Sequence, residues 1–489
     1  MPQGLSTGDH PKHRSLSHCG VLLLALACAP AQAAAPRITS ADDLGTAVAA
    51  QIACAGIFVA GRAEADVLRD DVHALAPFSR AVSLAVDRKA GTVTATAPGT
   101  TARTALYRPV LGCTLTTGQT PLATLAAQGK RLAPLKAPAS RPWPQGDQPI
   151  AATQGAVEAR LDRSALDAAV RAAFDEQNHD GYPDTRAIVV VQGGAIVAER
   201  YAPGFGKDTR LLGWSATKSL MGSLVGLLVD DGVLQLDAPA PVPEWQGKDD
   251  PRRAITLRQL LTMSSGLAFV ESYQPGNDSI RMLFEAPDMA ALAAAQPLQY
   301  PPGTHWSYSS GTTNILSRIV FNATGGTTEG VTRFAQTRLF APAGMASALI
   351  EPDESGVPVG SSYGYATARD WARYGLLHLN HGKAGNKQVL SPAWLAFALT
   401  PTAASSRPSY GAQLWLNRPA EAEEGRKVLQ DLPADTYMAM GHNHQIVAVI
   451  PSQDAVIVRL GWTPEGAKFD WNRHLARIAA ALAPAAAAP

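Results

Sequence analysis

A serine and a lysine stand three positions apart, as Ser215 and Lys218, in the stretch L-L-G-W-S-A-T-K-S-L. Residues 215–229 are apolar on nearly all sides, as in a buried helix, and the D-G pair that follows is typical of a helix end. Side chains three positions apart lie on one face of a helix, so the lysine can reach the serine hydroxyl. Because burial lowers the pKa of a lysine, such a residue can accept the serine proton. The pair predicts a nucleophilic serine with its own base.

The pattern S-x-x-K is weak evidence on its own, because a serine at a helix start is also a common N-cap and lysine stems often lie along apolar surfaces. Two further segments favour catalysis. Tyr308 begins the stretch Y-S-S-G-T-T-N after a Pro-Gly bend, which suits a loop that places a tyrosine hydroxyl in a cleft. The segment G-H-N-H-Q precedes a predicted strand, where a backbone N–H can stabilise an oxyanion. Its candidate oxyanion or substrate-binding residues are His442, Asn443, His444 and Gln445.

Three motifs, G-W-S-A-T-K-S, P-P-G-T-H-W-S-Y-S-S-G-T-T-N and G-H-N-H-Q, resemble in their order and separations those of the serine β-lactamase and penicillin-recognising superfamily. Within it the sequence is most similar to the branch of 6-aminohexanoate-dimer hydrolases and esterases. Residues 255–267 and 360–375 support the resemblance, which covers about residues 155–480. The combined motifs are specific, although each one alone is not. The resemblance implies a serine hydrolase.

The resemblance implies a role for each matching residue. Ser215 forms an acyl-enzyme, Lys218 activates it, and Tyr308 shares the proton transfer and deprotonates the water that releases the acid. The N–H of Ser215 and one N–H of residues 442–445, with Gln445 as the candidate, hold the oxyanion. No metal and no organic cofactor is implied. The expected partner is a small-molecule amide or ester substrate.

Two departures from the motifs of β-lactamases argue against antibiotic hydrolysis. Those enzymes carry Tyr-x-Asn and Lys-Thr-Gly, whereas this sequence has Ser310 in the first motif and no lysine in the second. A lysine there helps to hold the β-lactam carboxylate. His444 stands where related sequences usually have glycine, and it can narrow the cleft, contact substrate or cap a neighbour. The motifs leave the scissile bond open among linear amides such as amino-hexanoate dimers, short-chain esters and D-amino-acid peptides.

The segments around these motifs predict an α+β fold of the β-lactamase type over residues 154–483, with an antiparallel sheet flanked by terminal helices and an inserted helical subdomain. The strands come from both ends of the domain and the helices from its middle. The predicted elements are an amphipathic helix at 161–177, a hairpin of 186–192 and 195–202, strands at 445–450 and 455–460, and a closing helix at 469–482. Residues 484–489 form an Ala/Pro tail.

The chain before this domain predicts a small α+β module at residues 36–130 and a proline-rich linker at 131–153. A module of this kind resembles an N-terminal extension of some superfamily members. Cys54 and Cys113 are the two cysteines that follow residues 1–33, which have the pattern of an export signal described below. An even pair of cysteines in an exported protein predicts a disulfide. The predicted elements are a helix at 41–52 and strands at 81–86, 92–97 and 104–110.

Residues 1–33 have the pattern of a signal peptide. Basic residues precede an apolar run at 21–29 that is too short to span a bilayer, and A-Q-A then supplies the small residues that a signal peptidase accepts. Cleavage is predicted after Ala33, which would make the protein periplasmic or secreted. The alternative is a lipoprotein box, A-L-A-C, with a lipid anchor on Cys28, although its leucine stands where a small residue is preferred.

Composition and charge argue against several other classes of function. The 489 residues are 46% hydrophobic and 17% charged, with a net charge of +1 and no basic stripe or block of like charge. We therefore expect no nucleic-acid partner and no integral membrane span, while the oligomeric state stays open. A binding module or sensor on the same fold is the non-enzyme alternative. Such a protein would usually have lost a catalytic group, whereas this sequence keeps the serine, the lysine and the tyrosine.

Three further patterns suggest other chemistry and are weaker. The segment G-S-S-Y-G, with Ser362 as nucleophile, matches the elbow of α/β-hydrolases but has no apolar strand before it. Two histidine pairs, at 378/381 and 442/444, lack a carboxylate at the spacing of zinc enzymes. Residues 176–184 match a calcium loop only loosely, because the first ligand position is a glutamate and the twelfth an alanine.

Overall fold

The computed structural model describes residues 41–74, 81–136, 140–149, 151–158, 161–175, 185–420, 425–464 and 470–482. The predicted leader, the calcium-like segment and the C-terminal tail lie outside these residues. The strands that it contains are, in chain order, β1 (Ser83–Asp87), β2 (Thr92–Thr96), β3 (Arg103–Arg108), β4 (Gly112–Leu115), β5 (Thr185–Gln192), β6 (Ala195–Tyr201), β7 (Arg210–Leu212), β8 (Leu349–Ile350), β9 (Gly364–Thr367), β10 (Lys383–Ala384), β11 (Lys387–Gln388), β12 (Trp415–Leu416), β13 (Tyr437–Gly441), β14 (Gln445–Ile450) and β15 (Ala455–Gly461).

Helices fill the chain between the two groups of strands that form the main sheet. None of the described helices is both long enough and apolar enough to cross a bilayer. The helices are α1 (Ala41–Cys54), α2 (Glu64–Val67), α3 (Leu122–Ala127), α4 (Ala151–Glu158), α5 (Arg163–Asp175), α6 (Thr217–Asp230), α7 (Leu257–Leu261), α8 (Asp278–Phe284), α9 (Met289–Ala294), α10 (Ser310–Ala323), α11 (Thr328–Ala335), α12 (Ala341–Ala343), α13 (Ala368–Leu379), α14 (Pro392–Ala398) and α15 (Trp471–Ala480).

The main sheet is antiparallel and draws its strands from the start and the end of the domain, as their order in the sequence predicts. The strands lie in the order β12-β13-β14-β15-β5-β6. The turn from β5 to β6 is Gly193-Gly194, where φ is +54° and +75°, a conformation that glycine adopts without strain. The predicted hairpin and the two late strands are confirmed.

The two faces of this sheet pack against different layers, because successive side chains of a strand point in opposite directions. Ile188 and Val190 of β5 pack in one apolar cluster with residues of the terminal helices α5 and α15. Val189 and Val191 lie in the larger cluster that includes residues of α6 and α13. The terminal helices therefore cover one face of the sheet and leave the other to the helices that carry the candidate site.

The N-terminal module forms its own antiparallel sheet in the order β1-β2-β3-β4. The end of α1 is tied to β4 by the predicted disulfide between Cys54 and Cys113, which is present. The sequence analysis missed β4, because this strand has only four residues and begins at a glycine. The module predicted as small α+β therefore has one more strand than expected.

Two carboxylates connect this module to the segment that precedes β9. Glu351 accepts hydrogen bonds from the Cys113 N–H at 2.6 Å and the Gln51 side chain at 2.7 Å. Glu354 accepts one from the Thr117 N–H at 2.8 Å. Burial raises the pKa of Glu351 well above its ordinary value, and these donors only partly offset that effect. The described residues belong to one compact unit, in which the N-terminal module packs against the domain that carries the main sheet.

The segment predicted as a linker is fixed along α13. Residues 140–149 contain no helix or strand, as their prolines predict, but Arg373 holds them through several contacts. Its guanidinium donates to the carbonyls of Pro144 at 2.6 Å and Gly146 at 2.8 Å, pairs with Asp147 at 2.7 Å and lies 4.4 Å from the ring centre of Trp143. The helix α4 begins at residue 151, inside the predicted linker.

Candidate active site

Ser215 lies where a short 3₁₀ turn, Trp214–Ala216, runs directly into α6. The helix is buried nearly all round, as its apolar sequence predicts, and Ser215 is 8% exposed. The preceding residue, Trp214, has a φ of +46°, in the left-handed region that bulky residues rarely adopt. The first N–H groups of a helix have no partner within the helix, so backbone donors are available at this position. The candidate nucleophile thus sits on strained backbone at a helix start.

Lys218 lies one turn further along α6, and its side-chain nitrogen has three hydrogen-bond acceptors. The nitrogen lies 2.9 Å from Ser215 Oγ, 2.9 Å from Ser310 Oγ and 3.0 Å from the carbonyl oxygen of Ser361. The residue is 1% exposed. The spacing predicted the contact with Ser215, whereas the other two acceptors come from distant parts of the chain.

The buried position changes the acidity of this lysine. Burial lowers the pKa of Lys218 to about 8, and the nearby carboxylate of Glu271 opposes part of that effect by favouring the ammonium form. A base with such a pKa is neutral in a useful fraction of molecules near neutral pH. Lys218 can therefore accept the Ser215 proton.

Tyr308 is brought to the same point by the loop before α10. Its ring centre lies 4.9 Å from the Lys218 side-chain nitrogen, and Ser215 is close enough to influence the pKa of its hydroxyl. The ring packs between Tyr410, at 5.8 Å between ring centres, and Trp415, at 5.4 Å. The structure thus brings together all three side chains that the sequence singled out for catalysis.

The environment of Tyr308 favours the neutral phenol. Burial raises the pKa of Tyr308 above its ordinary value, the carboxylate of Glu271 raises it further, and the interaction with Ser215 only partly offsets both. A neutral phenol can take one proton and give another in the same step. Tyr308 is therefore better suited to relay protons between Lys218 and the substrate than to act as a permanently ionised phenolate base.

Glu271 is a further charged residue at the site, and the sequence analysis did not single it out. Its two carboxylate oxygens accept hydrogen bonds from the Ser310 N–H at 2.7 Å and the Ser310 hydroxyl at 2.6 Å. Ser310 in turn accepts a hydrogen bond from Lys218. The sequence does give one indirect sign of such a residue. Ser310 replaces the asparagine of Tyr-x-Asn, and a hydroxyl in that position needs a hydrogen-bond acceptor to fix the direction of its hydrogen.

The end of β13 lies directly against the backbone of the candidate nucleophile. A Cβ added at Gly441 would lie 2.1 Å from the Gly213 carbonyl oxygen and 3.0 Å from the Ser215 nitrogen. Only a residue without a side chain fits there. The end of β13 therefore lies beside the Ser215 N–H. A backbone N–H in this position could be the second donor of an oxyanion hole.

The two histidines of G-H-N-H-Q lie in different surroundings. The His442 ring is 5.5 Å from that of Trp214 and 4.6 Å from that of Tyr273, on the nucleophile side of the turn. The His444 ring stacks at 5.4 Å on Trp471 of α15. His442 is therefore the histidine next to the candidate site, while His444 contacts the terminal helix.

Gln445, whose N–H is the candidate for the second oxyanion donor, is the first residue of β14. Its side chain donates hydrogen bonds to the carbonyls of His442 at 3.1 Å, Asn443 at 3.2 Å and Gly461 at 2.6 Å. In the ladder of β13 and β14 it pairs with Gly441, and it is Gly441 that meets the serine backbone. The Gln445 side chain thus holds the shape of the turn, and its backbone lies opposite Gly441, the strand end that approaches the Ser215 backbone.

The turn at residues 442–445 contains two left-handed residues and two histidines whose rings are uncharged. Asn443 and His444 have φ of +57° and +58°, and this left-handed pair separates the directions of the flanking side chains. Burial lowers the pKa of both His442 and His444 to about 4. Both rings are therefore neutral at neutral pH. Within the described residues, no group of three His, Cys, Asp or Glu side chains could hold a metal ion.

The alternative nucleophile, Ser362, lies in a buried bend. Its hydroxyl is 2.9 Å from that of Ser361, and it is fully buried. Residues 356–360 before it form no strand, and α13 begins only at residue 368, so the strand-to-helix turn that the elbow motif requires is missing. The segment contributes the Ser361 carbonyl to Lys218 instead.

Comparison with known proteins gives matches over the domain that carries this site. A profile of the family described as Beta-lactamase matches residues 167–481. The 6-aminohexanoate-dimer hydrolase of Paenarthrobacter ureafaciens is 27% identical over 314 residues, which cover 59% of this chain and 75% of that protein. Lovastatin esterase of Penicillium rubens is 29% identical over 216 residues, which cover 40% of this chain and 51% of that esterase.

A solved structure supports the same fold. The structure of a penicillin-binding protein homolog from Caulobacter crescentus has a TM-score of 0.50 at 21% identity and covers 66% of this chain and 98% of its own. At this identity the similarity concerns the fold alone. The fold expected from the three motifs is confirmed.

Proposed function

The chain belongs to the Beta-lactamase family, and we propose that it is a serine hydrolase that cleaves a small linear amide or ester through an acyl-enzyme on Ser215. The proposal rests mainly on the geometry of the Ser215–Lys218 pair. The buried Lys218 nitrogen lies 2.9 Å from Ser215 Oγ, and its lowered pKa, about 8, lets it act as a base.

Acylation begins when neutral Lys218 takes the Ser215 proton and Ser215 Oγ forms a bond to the substrate carbonyl carbon. The carbonyl oxygen becomes an oxyanion, which the Ser215 N–H and the backbone at the end of β13 stabilise. The bond to the leaving amine or alcohol then breaks, and the leaving group receives the proton from Lys218 through the Tyr308 hydroxyl.

Deacylation reverses these roles. A water molecule attacks the acyl carbonyl carbon, and its proton passes through the Tyr308 hydroxyl to Lys218. The bond between the acyl carbon and Ser215 Oγ breaks, Ser215 takes the proton back from Lys218, and the carboxylic acid leaves. Tyr308 relays protons in both half-reactions, as its raised pKa favours.

The choice of amide or ester over β-lactam rests on the strand beside the nucleophile. The end of β13 reads M-A-M-G, with no lysine to hold a β-lactam carboxylate. Aromatic side chains flank Ser215, namely Trp214, Tyr308 and, beyond Trp214, Tyr273. The two partly exposed rings of this set, Tyr273 and Tyr308, suit a substrate with an apolar stem. The named relatives, a hydrolase of the 6-aminohexanoate dimer and an esterase of lovastatin, support the same substrate class.

The test is the intact mass of the purified protein after incubation with a fluorophosphonate, in the wild type, Ser215→Ala and Ser362→Ala. We expect one covalent adduct in the wild type and in Ser362→Ala, and none in Ser215→Ala. Labelling lost only in Ser362→Ala would overturn the assignment of the nucleophile. Absence of any adduct, with p-nitrophenyl esters also unreactive, would favour the binding-module alternative.

A substrate panel then identifies the scissile bond. Initial rates with p-nitrophenyl butyrate, the linear 6-aminohexanoate dimer, a D-alanyl dipeptide and a chromogenic cephalosporin compare the four classes. We expect the ester or the linear amide to give the highest kcat/KM. A cephalosporin as the best substrate would contradict the proposal, and a D-alanyl dipeptide would replace it with a peptidase function.

We also propose export, with cleavage after Ala33. The disulfide between Cys54 and Cys113 supports this proposal, because such bonds persist in oxidising compartments. The mass of the mature protein from a bacterial expression host with intact export machinery tests it. A mature chain that begins at residue 34 is expected, whereas a lipid-modified chain that begins at Cys28 would establish the anchored alternative.

A further inference from the structure

The contacts of Ser310 fix the direction of its hydroxyl hydrogen. One carboxylate oxygen of Glu271 lies 2.6 Å from Ser310 Oγ, and the other accepts the Ser310 N–H at 2.7 Å. A carboxylate can only accept hydrogen bonds, so the hydroxyl must donate to it. The remaining neighbour of Ser310 Oγ is the Lys218 nitrogen at 2.9 Å. Toward that nitrogen the hydroxyl can only accept.

The same assignment of donors and acceptors determines the direction of the lone pair on neutral Lys218. Neutral Lys218 has two hydrogens and one lone pair for its three neighbours. The Ser361 carbonyl accepts one hydrogen, and Ser310, whose own hydrogen is held by Glu271, accepts the other. The lone pair is then left for Ser215, whose hydroxyl carries the proton to be removed.

We propose that Glu271 is a positioning residue for acylation, which directs the lone pair of neutral Lys218 to the Ser215 hydroxyl by holding the hydrogen of Ser310. The inference rests on the proposed function of the Ser215–Lys218 pair. Without a carboxylate at 271, the Ser310 hydroxyl is free to turn its hydrogen to the lysine nitrogen. It then competes with Ser215 for the lone pair.

After the proton has moved, the same arrangement holds the ammonium. Protonated Lys218 has three hydrogens, and its three neighbours can all act as acceptors. Glu271 adds a favourable charge interaction with this ammonium. The carboxylate thus serves the lysine both before and after proton transfer, without touching the substrate.

Other titratable groups surround the lysine and bear on any pH dependence. Tyr308 faces it from the loop before α10, and Tyr410 packs against Tyr308. His442 lies beyond Trp214 on the other side of the nucleophile. Burial raises the pKa of both tyrosines and lowers that of His442 to about 4, so all three keep one protonation state between pH 6 and 9. Lys218 is then the group of this set that titrates in that range.

Substitution of Glu271 by glutamine gives a sharp test, because the amide reverses one hydrogen bond. The glutamine oxygen can still accept the Ser310 N–H, while its NH₂ group donates to Ser310 Oγ and turns the hydroxyl hydrogen to Lys218. The experiment measures the rate of acylation by p-nitrophenyl butyrate from pH 6 to 10, per mole of fluorophosphonate-titrated sites. The variants are the wild type, Glu271→Gln, Ser310→Ala and the double variant.

We expect two separate effects of Glu271→Gln. The plateau rate at high pH falls about ten-fold or more, because the lone pair is misdirected. The midpoint of the acid limb moves to lower pH, because a negative charge near the ammonium is gone. In the Ser310→Ala background no hydroxyl can compete, so Glu271→Gln should lower the plateau no further while still moving the midpoint.

The outcomes separate this inference from the proposed function. If the wild type is not acylated at Ser215, the proposed function fails and the inference with it. If the wild type is acylated, and Glu271→Gln leaves the plateau and the midpoint unchanged, only the inference fails. Plateau losses that simply multiply in the double variant would also overturn it, because a general structural role for Glu271 predicts that result.

Discussion

The side-chain nitrogen of Lys218, in the first turn of α6, lies 2.9 Å from the hydroxyl oxygen of Ser215, in the 3₁₀ turn that leads into this helix. Burial lowers the pKa of this lysine to about 8. A base must be neutral to accept the serine proton, and the neutral fraction rises with pH, so acylation should be faster at higher pH. We expect the rate to rise about ten-fold per pH unit well below pH 8 and to level off above it. Single-turnover acylation by p-nitrophenyl butyrate measures this profile, and a rate that is flat from pH 6 to 9 would contradict it.

Substitution of Lys218 by arginine separates the charge of this residue from its function as a base. A guanidinium keeps the positive charge but stays protonated at all relevant pH values, so it cannot accept a proton. We expect both Lys218→Arg and Lys218→Met to lower kcat by about a thousand-fold or more. Steady-state kinetics with matched thermal unfolding curves test this. An arginine variant within ten-fold of the wild type would show that Lys218 acts through its charge alone.

An alanine at position 441 should block acylation. The added Cβ would lie 2.1 Å from the Gly213 carbonyl and 3.0 Å from the Ser215 nitrogen, so the strand end must move away from the nucleophile. We expect Gly441→Ala to lower kcat about a hundred-fold or more, in the range of oxyanion-hole losses. Gly206→Ala is the matched control, because a Cβ there meets nothing within 4 Å. Equal activity of the two variants would contradict the role of the strand end.

The two histidines of the turn should differ in their effect on activity. His442 contacts Trp214 and Tyr273 beside the nucleophile, whereas His444 stacks on Trp471 of α15. We expect His442→Ala to lower kcat/KM by about ten-fold, because the ring contacts that hold Trp214 beside the nucleophile are lost. His444→Ala should stay within about two-fold and lower the melting temperature instead. Kinetics and thermal unfolding of both variants test this, and the reverse pattern would show that His444 contacts the substrate.

The disulfide between Cys54 and Cys113 should stabilise the N-terminal module and its contact with Glu351. The two cysteines are 59 residues apart, and chain entropy alone predicts a contribution of about 4 kcal/mol as an upper figure. The double variant Cys54→Ala/Cys113→Ala should therefore unfold at lower urea concentration. Urea unfolding at equal protein concentration measures the loss. A midpoint equal to that of the oxidised wild type would show that the bond adds no stability.

Local patterns predicted much of the architecture. The hairpin of β5 and β6, the late strands β14 and β15 and the closing helix were placed within a few residues of their positions in the structure. These elements are long, periodic and bounded by turn residues, so their sequence carries enough information. The strand β4 has no such signal in the sequence, and the proline-rich segment has the composition of a linker although Arg373 fixes it to α13. Two of its contacts with Arg373 are made by backbone carbonyls, which leave no trace in residue type, and the other two join Asp147 and Trp143 to a residue more than 220 positions away.

The sequence by itself determined the Ser215–Lys218 pair, because three positions on a helix set their separation. It also indicated Tyr308 and the G-H-N-H-Q turn through motif order. Only the tertiary structure decided which groups complete the site. Glu271 reaches Ser310 across 39 residues of chain, and the Ser361 carbonyl reaches Lys218 across 143.

Such contacts depend on how distant segments pack. No local period encodes them, and a backbone carbonyl or the close approach of a strand end can be supplied by many sequences. The orientation of the two turn histidines was decided in the same way, by a pair of left-handed residues whose conformation the fold imposes. The sequence therefore determined the reactive pair, and the packing of the fold determined how that pair is oriented, charged and enclosed.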